Sequence, residues 1–109
     1  MLKEKETQIQ TSICDYLAYK NYFFWRQNNV APVQVMRDGS LAMRRMPKYA
    51  RKGTPDVIVL VPGKVIFLEI KSSTGVLSLE QKELQLVCEK FQIQYCVVRS
   101  LGDVIKIGL

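Results

Sequence analysis

Along residues 3–20 the apolar positions Ile9, Ile13, Tyr16 and Leu17, with Lys20, recur at helical spacing, and no Gly or Pro interrupts them. This predicts a first helix that Asn21 ends. Tyr22–Gln27 is rich in aromatics and predicts a strand, closed by a turn at Asn28 and Asn29. Residues 30–53 lose any period: Pro32, Asp38-Gly39, Pro47 and Gly53 break the stretch. Within it, the Asp-Gly pair is placed to close a small hairpin between Val33–Arg37 and Ser40–Met43. Two short apolar runs follow, Asp56–Val61 and Val65–Lys71, separated by Pro62-Gly63, and predict a second hairpin. After Ser72-Ser73-Thr74-Gly75, Ser78 begins another helix with Gln81 three residues on, the signature of a capping box. Leu84, Val87, Cys88 and Phe91 supply that helix with one apolar face. Tyr95–Arg99 and Val104–Ile107, parted by Leu101-Gly102-Asp103, predict two closing strands. The order α, β, irregular insert, β, β, α, β, β implies an α/β layer fold with a central mixed sheet flanked by helices.

The length of 109 residues allows one domain spanning 1–109, since two separate cores would not fit. The longest uninterrupted aliphatic run, Val57–Val61, is far short of the roughly 20 residues that span a bilayer. The charged start, Met-Leu-Lys-Glu-Lys-Glu, lacks the apolar segment of a signal peptide, so a cytoplasmic protein without a membrane partner is expected. His is absent, and the three cysteines (Cys14, Cys88, Cys96) have no metal-binding spacing. A zinc centre and imidazole catalysis thereby lose their usual parts, and the thiols read as reduced, mostly buried residues. Any chemistry must run on carboxylates, lysines or hydroxyls.

Charge is distributed unevenly. Residues 1–55 hold ten basic against four acidic side chains, whereas residues 56–109 hold six of each. The whole net charge of +6 therefore lies in the first half, which suits a polyanionic partner. Five basic residues and no acid lie between Arg44 and Lys52, with one aromatic, Tyr49. In most proteins such a run is a solvated loop. Beside a carboxylate site, Arg44, Arg45, Lys48, Arg51 and Lys52 become candidate phosphate-backbone contacts, and Tyr49 can stack on an unpaired base.

The hairpin carries the candidate chemistry. A symmetric turn at Pro62-Gly63 pairs Val61 with Lys64 and Leu60 with Val65; carried on, it sets Asp56 opposite Glu69 on one face. Lys71 follows Glu69 by two residues, so alternation directs it to that face as well. Two close carboxylates repel unless a divalent cation reverses the sign of their interaction. Mg²⁺ prefers oxygen ligands and keeps several waters, so one or two carboxylates suffice. The bland alternative is an ion pair of Lys71 with Glu69 or Asp56 on a solvated face. Strongly apolar flanks argue against it, because they imply that both sheet faces are covered. A third carboxylate comes from Glu6, which falls in one helical stripe with Gln10, Ile13 and Leu17 and so continues the core-facing side. Its alternative is a frayed terminus, with Glu4 a substitute. Gln81 either caps the second helix through Ser78 or reaches a phosphate or the water shell of a metal, capping being the commoner role.

Gly53-Thr54-Pro55-Asp56, followed thirteen residues after Asp56 by Glu69-Ile70-Lys71, resembles the proline–aspartate…glutamate–x–lysine nuclease superfamily. More narrowly, the chain resembles a stand-alone virus-type replication-repair nuclease (VRR-NUC) domain. The residues that carry this are Glu6-x-x-Ile9-Gln10 with Tyr16-Leu17, Lys52-Gly53-Thr54-Pro55-Asp56, Glu69-Ile70-Lys71 and Leu77-Ser78-Leu79-Glu80-Gln81-Lys82. The resemblance implies a restriction-endonuclease-like core and a catalytic set of Glu6, Asp56, Glu69 and Lys71 supported by Gln81. It also implies a Mg²⁺ ion, replaceable by Mn²⁺, on Glu6, Asp56, Glu69 and the backbone carbonyl of Ile70, with no organic cofactor. Small stand-alone members are similar to phage-borne, homodimeric DNA repair nucleases that cut branched DNA such as four-way (Holliday) junctions. The basic insert at residues 36–52 is the departure from the pattern and leaves substrate shape open. The expected function is a metal-dependent, structure-selective DNA endonuclease. The alternatives are a non-catalytic nucleic-acid-binding module and a less selective nickase or RNA nuclease.

Overall fold

The computed structural model describes residues 5–27, 33–43 and 48–109. The first helix, α1 (Glu6–Tyr19), starts where the Gln8 side-chain oxygen accepts from the Lys5 backbone N–H at 2.9 Å. It stops at Asn21, whose φ of 63° turns the chain back so that Tyr22 N–H reaches the Leu17 carbonyl at 3.0 Å. Ile9, Ile13 and Leu17 are its buried stripe, as their spacing requires.

Strands β1 (Phe23–Arg26), β4 (Val57–Val61), β5 (Lys64–Ile70) and β6 (Gln94–Val98) form one sheet in the order β1-β4-β5-β6. β1/β4 and β4/β5 are antiparallel, while β5/β6 is parallel. The sheet is therefore mixed, as expected. The expected hairpin register also holds: Val61 pairs with Lys64 and Leu60 with Val65. A second, two-stranded sheet joins β2 (Val33–Val35) to β3 (Leu41–Met43), which is the small hairpin about Asp38-Gly39. Its turn is tied by Asp38, whose carboxylate accepts from both the N–H and the hydroxyl of Ser40.

Helix α2 (Leu79–Lys90) connects the parallel pair, as a parallel connection requires. Ser78 caps it: its hydroxyl accepts from Gln81 N–H at 3.2 Å, and the Gln81 side-chain oxygen accepts from Ser78 N–H at 2.8 Å. The last element corrects the sequence reading. Val104–Ile107 is not a strand: Val104, Ile105 and Lys106 belong to a helix, α3 (Leu101–Lys106), and Ile107 is its C-cap. Ser100 caps that helix by accepting from Asp103 N–H, and Leu101 and Val104 turn inward at helical spacing. An apolar run this short fits either period, and the cap decides it.

The core lies on one face of the four-stranded sheet. Ile9, Ile13 and Leu17 of α1 and Val104 of α3 meet Val57, Val59, Ile66, Leu68, Ile70 and Val98. Each such side chain contributes about 1.5–3 kcal/mol on burial. Leu109 closes this layer, and the hydroxyls of Tyr16 and Tyr22 donate to its backbone oxygen. On the opposite face, α2 packs against β6 and buries Cys88. That face is covered only in part, contrary to expectation. Phe23 is 69% exposed, and Trp25, Leu60 and Val65 are also exposed on it. α2 is likewise less buried than its apolar spacing implies, with Val87 and Phe91 exposed. The three cysteines are free thiols; Cys88 is buried, while Cys14 and Cys96 are half-buried. Among the described residues no helix is long and apolar enough to cross a membrane.

Candidate functional site

β5 and β6 run parallel and end at the same edge, and α2 begins there after the turn through Ser72 and Gly75. Asp56 stands at that edge too, one residue before β4. The β4/β5 ladder ends at Val57↔Leu68, so Asp56 and Glu69 face one another just past the last pair. There the Asp56 Oδ2 takes the Ile70 N–H at 2.7 Å in place of a ladder bond. Side chains alternate along β5, so the Ile70 side chain enters the core while Glu69 lies on the opposite face.

Glu69 is the one buried charged residue among those described, with 1% of its surface exposed. Its Oε1 accepts from Gln81 Nε2 at 2.8 Å and lies 3.9 Å from the Lys71 ammonium. Its Oε2 is buried with no hydrogen-bond donor. Burial first, then the negative charge of Asp56, push the Glu69 carboxyl up to about 9. Lys71 opposes this shift, and Glu6 adds weakly to it. The cost of burying the charge and the repulsion by Asp56 outweigh the pull of Lys71.

The expected residues converge to different degrees. Asp56, Glu69, Lys71 and Gln81 come together as the strand register and the helix cap imply. Gln81 takes the capping role and adds a contact that its sequence position did not suggest. Its oxygen caps α2 and its nitrogen holds Glu69, which couples the start of the helix to the buried carboxylate. Glu6 corrects the reading: it is exposed and does not continue the buried stripe of α1. It sits at the first helical position, before the stripe begins at Ile9, and only its charge reaches Glu69. Among the described residues no three carboxylates or thiols gather into a ready metal-binding group. The donor set is thus the pair Asp56 and Glu69, with an oxygen of Glu69 to spare. That fits a hard cation which keeps most of its water shell.

The basic segment is only partly described. Arg44 and Arg45 lie outside the described residues. Lys48, Tyr49, Arg51 and Lys52 are all exposed, and the Lys48 ammonium sits 5.1 Å from the centre of the Tyr49 ring. Arg51, Lys52 and Thr54 form one wall of a groove, with Glu80, Glu83, Leu84 and Val87 of α2 on the other. The basic wall of the groove ends at Thr54, two residues before Asp56 in the chain.

Two supports of the site were not singled out from the sequence. Gly53 has a φ of 78°, and a Cβ there would stand 2.7 Å from the Glu80 Cβ and 2.8 Å from its carbonyl carbon. The turn leading to Asp56 can press against α2 only because residue 53 has no side chain. Arg99 donates from one terminal nitrogen to the carbonyls of Ser72 (2.6 Å) and Gly75 (2.7 Å), which fastens the turn between Lys71 and α2. The Gly in the Gly-Thr-Pro-Asp run could have signalled the first. The second is a contact between residues remote in sequence and left no local trace. Comparison with protein-family models, with curated proteins and with solved structures returned no match for this chain.

Proposed function

We propose that the chain is a divalent-metal-dependent DNA endonuclease with a restriction-endonuclease-like core of the VRR-NUC type. One observation carries this reading: a buried carboxylate, Glu69, faces a second carboxylate, Asp56, and keeps one oxygen without any donor. A structural acid would have its oxygens satisfied, because an unpaired buried polar atom costs about 1–3 kcal/mol. Asp56 and Glu69, with the Ile70 carbonyl and Glu6, are the residues that would hold Mg²⁺ or Mn²⁺, which would supply an activated water and offset charge developing on phosphorus.

The chain's own residues do the rest. Gln81 fixes the orientation of Glu69 by holding Oε1, which leaves Oε2 as the free donor. Asp56 is held by the Ile70 N–H through Oδ2. Lys71 carries its ammonium to the same place, where it can hold the attacking water or stabilise the pentacovalent phosphate. Arg51 and Lys52 draw the DNA backbone across the groove, and the exposed Lys48 and Tyr49 are further contacts. Branched DNA, four-way junctions above all, is the proposed substrate. A homodimer would set two such sites at fixed separation for cutting paired strands. The exposed Phe23, Trp25, Leu60 and Val65, on the sheet face that bears the carboxylates, support an association surface.

The test is cleavage of labelled four-way junction, flap and linear duplex DNA in Mg²⁺, Mn²⁺ or EDTA, with Asp56→Ala and Glu69→Ala alongside. Metal-dependent cutting, strongest on the junction and lost in both variants, is the expected result. Binding to every shape alike, weakened by salt and without cleavage in any metal, would overturn it. That outcome is the one expected of a nucleic-acid-binding module, the reading favoured by Asp56 serving β5 as a backbone cap.

A further inference from the structure

The groove beside α2 has two walls of opposite charge. Glu80, Glu83, Leu84 and Val87 follow one another at i, i+3, i+4 and i+7, so they form one face of that helix. Arg51, Lys52 and Thr54 line the other side. The walls meet at Gly53, whose missing side chain lets the turn lie against the backbone of Glu80. Elsewhere they stand apart around a space of about 500 Å³, within the range of about 300–1,000 Å³ typical of sites that hold one small organic molecule. The charges do not cancel across it. Among the described residues neither Arg51 nor Lys52 forms an ion pair with Glu80 or Glu83, and all four side chains are exposed. Leu84 and Val87 supply the apolar part of the lining.

A bare phosphate chain does not suit such a groove, because Glu80 and Glu83 repel it. The complementary ligand carries an anion on one side, hydrogen-bond donors on the other, and an apolar ring. A nucleotide has all three in its phosphate, the exocyclic amino group of its base and the face of that base. Within a duplex the base faces are stacked, so only an unpaired nucleotide offers the three together. We propose that the groove is a binding subsite for one unpaired nucleotide of the DNA. Its phosphate lies on Arg51 and Lys52, its base lies against Leu84 and Val87, and the amino group donates to Glu80 or Glu83. This rests on the reading of the chain as an enzyme that acts on DNA. Carboxylates accept from the amino group of cytosine. Thymine, a ring of the same size, presents a carbonyl oxygen in that place, which a carboxylate repels. The subsite therefore favours cytosine over thymine.

The experiment measures binding of fluorescein-labelled oligo-dC and oligo-dT of equal length by anisotropy, in EDTA at neutral pH. Wild type is compared with Arg51→Ala and with the double variant Glu80→Gln, Glu83→Gln. Wild type should bind oligo-dC about tenfold more tightly than oligo-dT. The double variant should lose that preference. Arg51→Ala should weaken both complexes and keep it, because a phosphate contact carries no base information. Equal affinity of wild type for the two oligomers would overturn the proposal. So would tighter binding of both by the double variant at an unchanged ratio, the behaviour of solvated acids that merely repel DNA. Either result leaves metal-dependent cutting of the junction, and with it the nuclease reading, untouched. Failure of wild type to bind either oligomer or junction DNA would remove that reading and the subsite together.

Discussion

Glu69 concentrates the physics of the site in one side chain. Its carboxyl is raised from 4.5 to about 9 because the folded protein surrounds it with apolar residues and a second acid. In the unfolded chain the group ionises above about 4.5, whereas the cation-free fold holds the proton until about 9. The unfolded state thus binds fewer protons across that range, so stability falls as pH rises from one value to the other. Glu69→Gln should abolish that decline in a melting-temperature profile against pH, and saturating Mg²⁺ should flatten it in wild type. A cation-free profile that does not fall between those pH values would contradict the assignment. Gly53 is a second decisive position. Gly53→Ala places a Cβ against Glu80 at a positive φ and should destabilise the fold by about 1–3 kcal/mol, read by denaturant titration. At this scale the sequence told most where alternation alone decides direction. Asp56, Glu69 and Lys71 were legible because a two-residue period and one turn fix their face. Glu6 was not, because a helical wheel continued to the first residue of a helix says nothing about where the core ends.

Among the elements, the hairpin β4/β5 and helix α2 build the site, and both were readable. Pro62-Gly63 sets the hairpin register, and Ser78 with Gln81 sets the start of α2. α3 was misread since Val104–Ile107 is a short apolar run without its own period. What made it a helix is the Ser100 cap and the acceptance of Arg99 N–H by the Asp103 carboxylate. Gln81 links the elements to the chemistry, and its removal should show two effects of different kinds. Gln81→Ala should lose about 1 kcal/mol of stability through the broken cap. It should also weaken Mg²⁺ affinity by about 10- to 100-fold, because Glu69 loses its orienting donor. Ser78→Ala should reproduce only the loss of stability. Equal Mg²⁺ affinity in Gln81→Ala and Ser78→Ala would show that the glutamine acts through the helix alone.

For the whole molecule, the sheet separates two tasks. One face holds the core with α1 and α3, while the other carries the carboxylates at one end and exposed apolar residues at the other. The excess of positive charge in residues 1–55 was plain in the sequence, but the partial cover of the second face was not. Apolar strands look alike whether α2 covers all of that face or only the β6 side. Arg51→Ala and Lys52→Ala should each weaken binding to every DNA shape and lower the salt dependence of log Kd by about 1. An unchanged salt slope in both variants would remove the groove from the DNA path. The central claim, that Asp56 and Glu69 form a divalent-cation site, is tested most directly by calorimetric titration of Mn²⁺ into the cation-free protein at pH 7. Wild type, Glu69→Gln and Asp56→Asn would be compared in buffers of different protonation enthalpy. The account predicts binding by wild type with release of about one proton, the one held by Glu69, and loss of binding in both variants. Absence of binding by wild type, or binding that persists in both variants, would contradict it.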